Sequence, residues 1–378
     1  MVASRARRSI TLSASVVATA VVTGLAQAAP PQNVAYITNQ GAGISVLDLA
    51  TWHLTQAIQV GKDPRGIAIT PDGTRLVAAN QADADVSVVD TATGRTIKRI
   101  AVGKNAEFVR ISPDGLRAYV TYEPSSTGKP PAKEEAGAKK PEAATAGHDS
   151  DEARAEIAVI DLATMEVTAR LPASLETEGM EFSPDGKRLV VANEGDDTVV
   201  VYDLAAGAAI KTIDVTPFGK RPRGVKVSPD GATYLVTLEN SDNVLVLDAD
   251  FKVIRAVPTG KGPYGVAYQP GGARIWIAAA RSDQVQVLDA GTFAPVASIA
   301  VGKRCWHFSF TPDGREVLAA CGRSNSVSVI DTSTLKLVQT LDGFQQPWGI
   351  VTWPKSDGSL DRSVPASAAT AAAAPAKP

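Results

Sequence analysis

The sequence predicts an all-β fold, a seven-bladed β-propeller, from three observations. A proline recurs seven times, five times as Pro-Asp-Gly, in steps of 42, 71, 45, 41, 42 and 42 residues, at Pro71, Pro113, Pro184, Pro229, Pro270, Pro312 and Pro354. An Asp ends an alternating apolar run in every repeat, at Asp48, Asp90, Asp161, Asp203, Asp248, Asp289 and Asp331. Each repeat holds four short apolar runs separated by turn residues, which is typical of a propeller blade.

The second repeat shows the four predicted strands in order. Gly66–Thr70 is the first strand, and Pro71-Asp72-Gly73 forms the turn after it. Arg75–Ala79, Val86–Asp90 and Thr96–Val102 follow as the second, third and fourth strands. Helical periodicity is absent from these repeats, so the prediction is all-β.

The two ends of the repeat region are predicted to complete one blade. The region begins with a second strand, Val34–Thr38, and ends with a first strand, Trp348–Trp353. Pairing these two strands closes the ring and removes open sheet edges that would otherwise aggregate. The predicted propeller therefore spans residues 33–354.

One repeat carries an insertion of 29 residues between its proline and its Asp. From Glu123 to Glu156 the sequence has no Val, Ile, Leu or aromatic residue. Such a segment buries too little apolar surface to offset the entropy of ordering it. Residues 123–156 are therefore predicted to be a disordered loop between the second and third strands of the third blade, either a functional linker or a neutral insertion.

The N-terminus has the pattern of an export signal. Arg5, Arg7 and Arg8 precede a mildly apolar stretch, and Ala26-Gln27-Ala28 is a small-x-small cleavage pattern. Residues 1–28 are therefore predicted to be a signal peptide, with general secretion and twin-arginine export both open. The mature protein is expected in the periplasm without a membrane span, because no later segment has 18 consecutive apolar residues. At the other end, residues 355–378 are predicted to be a disordered Ala/Pro-rich tail.

The composition narrows the chemistry. Three His and two Cys leave little for a zinc site, so neither a metal nor a cofactor is predicted. A formal charge of −2 argues against a surface built as a whole for nucleic acid.

Cys305 and Cys321 flank a predicted hairpin at nearly opposite positions, where Cβ atoms lie about 4.5–5.5 Å apart. A disulfide between them is predicted, with two free buried thiols as the alternative.

Three stretches resemble the YVTN-type β-propeller repeat family of exported bacterial proteins: Ala35-Tyr36-Ile37-Thr38-Asn39, Phe310-Thr311-Pro312-Asp313-Gly314 and Val327-Ser328-Val329-Ile330-Asp331. The resemblance extends over about residues 33–354. The stretch from Val301-Gly302-Lys303-Arg304-Cys305-Trp306 to Gln346-Pro347-Trp348-Gly349 is similar to propeller proteins encoded beside pyrroloquinoline-quinone-dependent alcohol oxidation systems. The repeat also resembles the haem-bearing propellers of nitrite reductases. The family resemblance implies binding more often than catalysis.

One position of the repeat indicates a functional site. Six residues before each proline, where the first strand starts, the residue is large and polar or aromatic: Arg65, Glu107, Glu178, Arg223, Tyr264, Trp306 and Trp348. First strands start around one mouth of the central channel, so these ring residues are predicted to converge there. They form either a ligand-binding site with a charged and an aromatic arc, or a plug held by Arg65–Glu107 and Glu178–Arg223 ion pairs.

Two further sets of residues are predicted near the ring. Three residues before the ring residue, five repeats have a lysine, and these form a basic rim: Lys62, Lys104, Lys220, Lys261 and Lys303. The rim is predicted either to steer an anionic ligand, nucleic acid or an acidic partner, or to serve only solubility. His307 replaces a common glycine beside Trp306. It is predicted to contact ligand or to be structural, and with Glu107 or Glu178 it is the candidate general base.

These features favour a monomeric, exported, non-catalytic binding or accessory propeller linked to quinoprotein oxidation. It is expected to recognise a partner protein or a small molecule, with nucleic acid less favoured. HExxH and GxSxG motifs are absent from the sequence. The alternative is a lactonase-like hydrolase or lyase, or a haem-binding propeller, that uses His307.

Overall fold

A computed structural model describes residues 29–123 and 155–361. In these residues 28 strands form seven four-stranded antiparallel sheets, which are the blades of a β-propeller. The predicted fold class is confirmed. The predicted signal peptide and residues 124–154 of the predicted loop lie outside the described residues.

Blades are numbered in chain order and their strands are given from the channel outwards. Blade 1 is β28 (Pro347–Trp353), β1 (Val34–Asn39), β2 (Gly43–Asp48) and β3 (His53–Ile58). Blade 2 is β4 (Pro64–Ile69), β5 (Arg75–Asn80), β6 (Asp85–Asp90) and β7 (Arg95–Ala101). Blade 3 is β8 (Ala106–Ile111), β9 (Arg117–Tyr122), β10 (Glu156–Asp161) and β11 (Glu166–Pro172).

The other four blades follow the same order. Blade 4 is β12 (Thr177–Phe182), β13 (Arg188–Asn193), β14 (Thr198–Asp203) and β15 (Ala208–Asp214), and blade 5 is β16 (Pro222–Val227), β17 (Thr233–Leu238), β18 (Asn243–Asp248) and β19 (Val253–Pro258). Blade 6 is β20 (Pro263–Tyr268), β21 (Arg274–Ala279), β22 (Gln284–Asp289) and β23 (Pro295–Ala300). Blade 7 is β24 (Cys305–Phe310), β25 (Glu316–Cys321), β26 (Ser326–Asp331) and β27 (Lys336–Leu341), with a 3-10 turn at Gly322–Ser324.

Blade 1 joins the two ends of the propeller, as predicted. β1 pairs with β28 in antiparallel register, with Val34 opposite Trp353 and Tyr36 opposite Val351. The ring is therefore held closed by backbone hydrogen bonds between residues more than 300 positions apart in the chain.

Glycine at the third position of five first strands lets neighbouring blades approach closely. A Cβ on Gly66 would lie 2.5 Å from the carbonyl oxygen of Glu107, and one on Gly224 would lie 2.5 Å from that of Tyr264. The same contact with the ring residue of the next blade recurs at Gly179, Gly265 and Gly349. Each glycine therefore fixes the position of a ring residue. Phe108 and His307 replace glycine in the remaining two blades, and both are buried.

The chain continues beyond residue 354 into the channel. After β28, residues 355–361 run antiparallel to β24: the N–H of Phe310 donates to the carbonyl of Asp357 (3.0 Å), and the N–H of Ser359 donates to that of Phe308 (2.9 Å). Leu360 is fully buried among the first strands. The predicted disordered tail 355–378 is thus wrong for residues 355–361, which find partners that the sequence did not reveal, and residues 362–378 lie outside the described residues.

Candidate functional site at the channel mouth

The seven predicted ring residues occupy the second position of the seven first strands. Both expected ion pairs are present, because Arg65 contacts Glu107 and Arg223 contacts Glu178. Their side chains are between 7% and 17% exposed. The charged arc of the ring is therefore mostly buried, and its arginines and glutamates form the ion pairs expected of the plug alternative.

Glu239 lies at the blade 5 end of this arc, directly after β17. Its Oε2 accepts hydrogen bonds from Nε of Arg223 at 2.8 Å and Nε of Arg221 at 3.1 Å. Its Oε1 accepts from Nη2 of Arg304 at 2.9 Å and lies 3.0 Å from Nη2 of Arg281. Burial alone would raise the pKa of Glu239, but the four guanidiniums hold it at about 2.

Glu194 occupies the equivalent position after β13 and contacts both Arg221 and Arg223. Burial raises the pKa of Glu194 to about 10. The charge of Arg223 opposes this rise, and the neighbouring Glu178 adds to it. Glu194 and Glu239 were not among the predicted site residues. A signal was available, because a glutamate follows the second strand in three consecutive repeats, at Glu123, Glu194 and Glu239.

Glu178 combines burial with two kinds of charged neighbour. Burial raises its pKa to about 7, Arg223 opposes the rise, and the nearby Glu107 adds to it. Arg65 lies within electrostatic range of Glu178 as well as Glu107. Glu178 therefore changes charge close to neutral pH, which is where a general base is most effective.

The aromatic arc packs against the charged arc through Tyr264. Its ring lies 4.7 Å from the guanidinium carbon of Arg223, and its hydroxyl accepts a hydrogen bond from Nη1 of Arg223 at 3.1 Å. Trp348 is buried, with its ring centroid 6.3 Å from that of Tyr264. Trp306 is only partly buried and packs on Gly322, where an added Cβ would lie 1.8 Å from its ring. Of the three aromatic residues, Trp306 is the one best placed to touch a ligand.

His307 lies one position below the ring and is enclosed. Its ring centroid lies 4.3 Å from that of Trp348, and its Nδ1 shares a hydrogen bond with the Ser359 hydroxyl at 2.9 Å. Burial, and next the charge of Arg110, lowers the pKa of His307 well below its usual range. The expected pairing with Glu107 or Glu178 is not formed among the described residues: Ser359 of the C-terminal segment engages Nδ1, and the buried Nε2 has no hydrogen-bond partner there.

The five predicted rim lysines are all exposed at this mouth. Each lies in the loop that leads into a first strand, as expected. In two of these loops the residue after the lysine is an arginine, Arg221 or Arg304, whose side chain reaches Glu239. The rim therefore continues inward as the arginines that surround Glu239.

The lower half of the channel holds a second buried cluster that the sequence did not predict. Arg110 donates through Nε to the carbonyl of Met180 at 2.8 Å, and also donates to the carbonyl of Leu360. Lys226 donates through Nζ to the carbonyl of Gly358 at 2.6 Å and lies 3.6 Å from Oε2 of Glu181. The C-terminal segment therefore fills this half of the channel and accepts hydrogen bonds from both cations.

One further expectation, the disulfide, can be compared with the described residues. The predicted disulfide between Cys305 and Cys321 is present, and these residues are paired across β24 and β25. No group of three or more His, Cys, Asp or Glu is arranged to hold a metal within 29–123 and 155–361. In the same ranges no helix is long and apolar enough to cross a membrane.

Two family models match parts of the chain. A lactonase model, described as a seven-bladed β-propeller, matches residues 153–253, and a cytochrome d1 haem domain model matches residues 225–353. No curated protein matches the chain significantly. The first match contains Glu178, Glu194 and Arg223, and the second contains His307 and Arg304.

Solved structures match the chain over most of its length. A chain of hydrazine synthase from Kuenenia stuttgartiensis is 25% identical, with a TM-score of 0.65 over 85% of this chain and 99% of that one. The periplasmic gluconolactonase PpgL from Pseudomonas aeruginosa is 18% identical, with a TM-score of 0.66 and coverage of 85% and 99%. The dihydro-haem d1 dehydrogenase NirN is 15% identical, with a TM-score of 0.63 and coverage of 87% and 78%.

The fold defines the class of protein as a seven-bladed β-propeller, and parts of the chain are similar to the lactonase and cytochrome d1 haem-domain families. The link to pyrroloquinoline-quinone-dependent oxidation stays a prediction.

A haem on His307 does not fit these residues. The histidine is 2% exposed, and the rings of Phe108, Tyr264 and Trp348 lie within 6.1 Å of it, so a macrocycle has no room at its Nε2.

Proposed function

We propose that the protein is an exported hydrolase that opens a lactone ring at the charged mouth, with Glu178 as the general base. The observation that carries the proposal is the Glu178 carboxylate, whose pKa is raised to about 7 between the guanidiniums of Arg65 and Arg223. The lactonase family match covers this residue, and two similar structures carry the names gluconolactonase and putative 6-phosphogluconolactonase. Export is supported by the Cys305–Cys321 disulfide, because such bonds persist in oxidising compartments.

The reaction needs a base and a positive group at the carbonyl oxygen. Ionised Glu178 takes a proton from water, and the water oxygen attacks the lactone carbonyl carbon. Arg65 is suited to stabilise the resulting oxyanion, because its Nε–H has no hydrogen-bond partner among the described residues. The ring C–O bond then breaks, and the alkoxide that leaves receives the proton held by Glu178. The product is a hydroxy acid.

The test is hydrolysis of a panel of γ- and δ-lactones at pH 8 by the purified chain. Glu178→Gln is expected to lower kcat/KM at least ~100-fold, the usual contribution of a general base. Glu166→Gln is the matched control, since it makes the same chemical change on an exposed outer strand, and it should retain full activity. Thermal melting of each variant shows whether a loss comes from unfolding.

Two results would contradict the proposal. One is a wild-type protein that hydrolyses none of the lactones, and the other is a folded Glu178→Gln variant that is as active as the wild type. A chain that binds a ligand at the mouth without turning it over would instead be the non-catalytic binding propeller expected from the sequence.

A further inference from the structure

Positive charge exceeds negative charge on one side of the mouth. Four arginines share the carboxylate of Glu239: Arg221, Arg223, Arg281 and Arg304. Arg221 and Arg223 also contact other side chains, because Glu194 contacts both of them and Glu178 contacts Arg223. Among the described residues, Arg281 and Arg304 have ion pairs with Glu239 alone.

The remaining carboxylates nearby are engaged by the backbone. Asp242 accepts the N–H of Gly262 at 2.8 Å, and Asp283 accepts the N–H of Arg304 at 2.9 Å. Further cations lie on the same arc and are exposed: Lys261, Lys303 and Arg323. The five cations of blades 6 and 7 at this mouth therefore face three carboxylates, and the arc keeps a net positive charge.

Among the described residues, Arg304 has an unused N–H donor and a side chain that is 19% exposed, and Arg281 is more open to solvent. The Nε–H of Arg304 is buried and has no hydrogen-bond partner within residues 29–123 and 155–361, and such an orphaned donor is rare in native proteins. The Arg281 side chain donates through Nη2 to Oδ1 of Asn240 at 2.8 Å, but it is 40% exposed, so its guanidinium can be reached from solvent. Trp306 lies two residues after Arg304, near the start of β24, and its side chain is partly exposed.

We infer that Arg281 and Arg304 form a subsite for a compact oxyanion, a carboxylate or phosphate group of a small ligand. Guanidinium groups suit both anions, because their N–H donors match the geometry of paired oxygens. Trp306 is placed to pack against the uncharged remainder of the ligand. The subsite does not depend on the hydrolase proposal.

The test is titration calorimetry with inorganic phosphate and, separately, acetate, on the unmodified protein and three variants. Arg304→Met and Arg281→Met should each weaken binding of the better anion at least tenfold. Arg315→Met is the matched control, because it removes the same charge from a 79% exposed side chain in a hairpin at the opposite mouth. It should change the affinity less than twofold.

The subsite is overturned if neither anion binds the unmodified protein, or if Arg315→Met weakens binding as much as Arg304→Met does. Should Arg304→Met fail to fold, Arg281→Met decides the matter, since its half-exposed side chain contributes little to the core. Anion binding in a chain that hydrolyses no lactone would support the subsite and count only against the proposed hydrolase.

Discussion

The two halves of the channel both bury charged side chains, but they neutralise them differently. In the lower half, Arg110 and Lys226 share one buried carboxylate, Glu181, and otherwise donate to backbone carbonyls, including those of the C-terminal segment 355–361. At the mouth, arginines meet glutamates, and the ring pairs stay 7–17% exposed. A channel filled by its own chain contributes to stability, whereas an incompletely neutralised mouth is suited to a ligand.

The largest effect is expected from removing the C-terminal segment. A chain ending at Pro354 loses the fully buried Leu360 and leaves Arg110 and Lys226 without several acceptors. The free energy of unfolding should fall by at least about 4 kcal/mol, from lost apolar burial and uncompensated buried charge. Urea denaturation checks this, with a chain ending at Asp361 as the control. Equal stability of the two truncated chains would show that the segment is not structural.

Lys226→Met tests the lower half with a single side chain. The change removes the cation that faces buried Glu181, so unfolding should cost about 3 kcal/mol less at pH 7. Burial lowers the pKa of Lys226 from 10.5 to about 8. Between about pH 8 and pH 10.5, Lys226 is protonated in the unfolded state but not in the folded state. The free energy of unfolding of the wild type, relative to Lys226→Met, should therefore rise as the pH goes from about 8 to 10.5.

The mouth should be unaffected by Lys226→Met. Phosphate affinity is expected to match that of the unmodified protein, measured by the same calorimetry. A loss of binding would mean that the two halves of the channel are coupled, which would break the distinction drawn between them.

The sequence predicted the fold and the ring because both follow from a periodic pattern. Gly66 and its equivalents, the Asp that ends each third strand and the proline turns recur at fixed spacing, so one repeat explains the rest. The C-terminal segment has no such period, and Leu360 is its only bulky apolar residue between Lys355 and Asp361. Burial of that segment depends on the space that β8, β16 and β24 leave in the channel, which no local pattern reports. Glu194 and Glu239 were missed because they follow a strand and do not lie within it.

A matched pair of glutamates at the mouth gives the smallest expected effects. Glu239, with a pKa of about 2, is ionised and bonded to four arginines, so Glu239→Gln should lower the free energy of unfolding by about 2 kcal/mol. Glu194 has a pKa raised to about 10, and its neutral acid resembles an amide, so Glu194→Gln should cost less than about 1 kcal/mol. Because the pKa of Glu239 is depressed, the advantage of wild type over Glu239→Gln should disappear as pH falls from about 4.5 to 2. Urea denaturation across this pH range checks both variants, and equal costs would contradict the charge states inferred for the mouth.

The pH dependence of lactone hydrolysis shows whether the mouth is a catalytic site built on Glu178. Base catalysis needs the ionised carboxylate, and burial raises the pKa of Glu178 from 4.5 to about 7. The value of kcat/KM for the best lactone should therefore rise about tenfold per pH unit below pH 7 and level off above it. Residual hydrolysis by Glu178→Gln should lack this midpoint. A wild-type profile without a midpoint near pH 7, or the same midpoint in Glu178→Gln, would contradict the account.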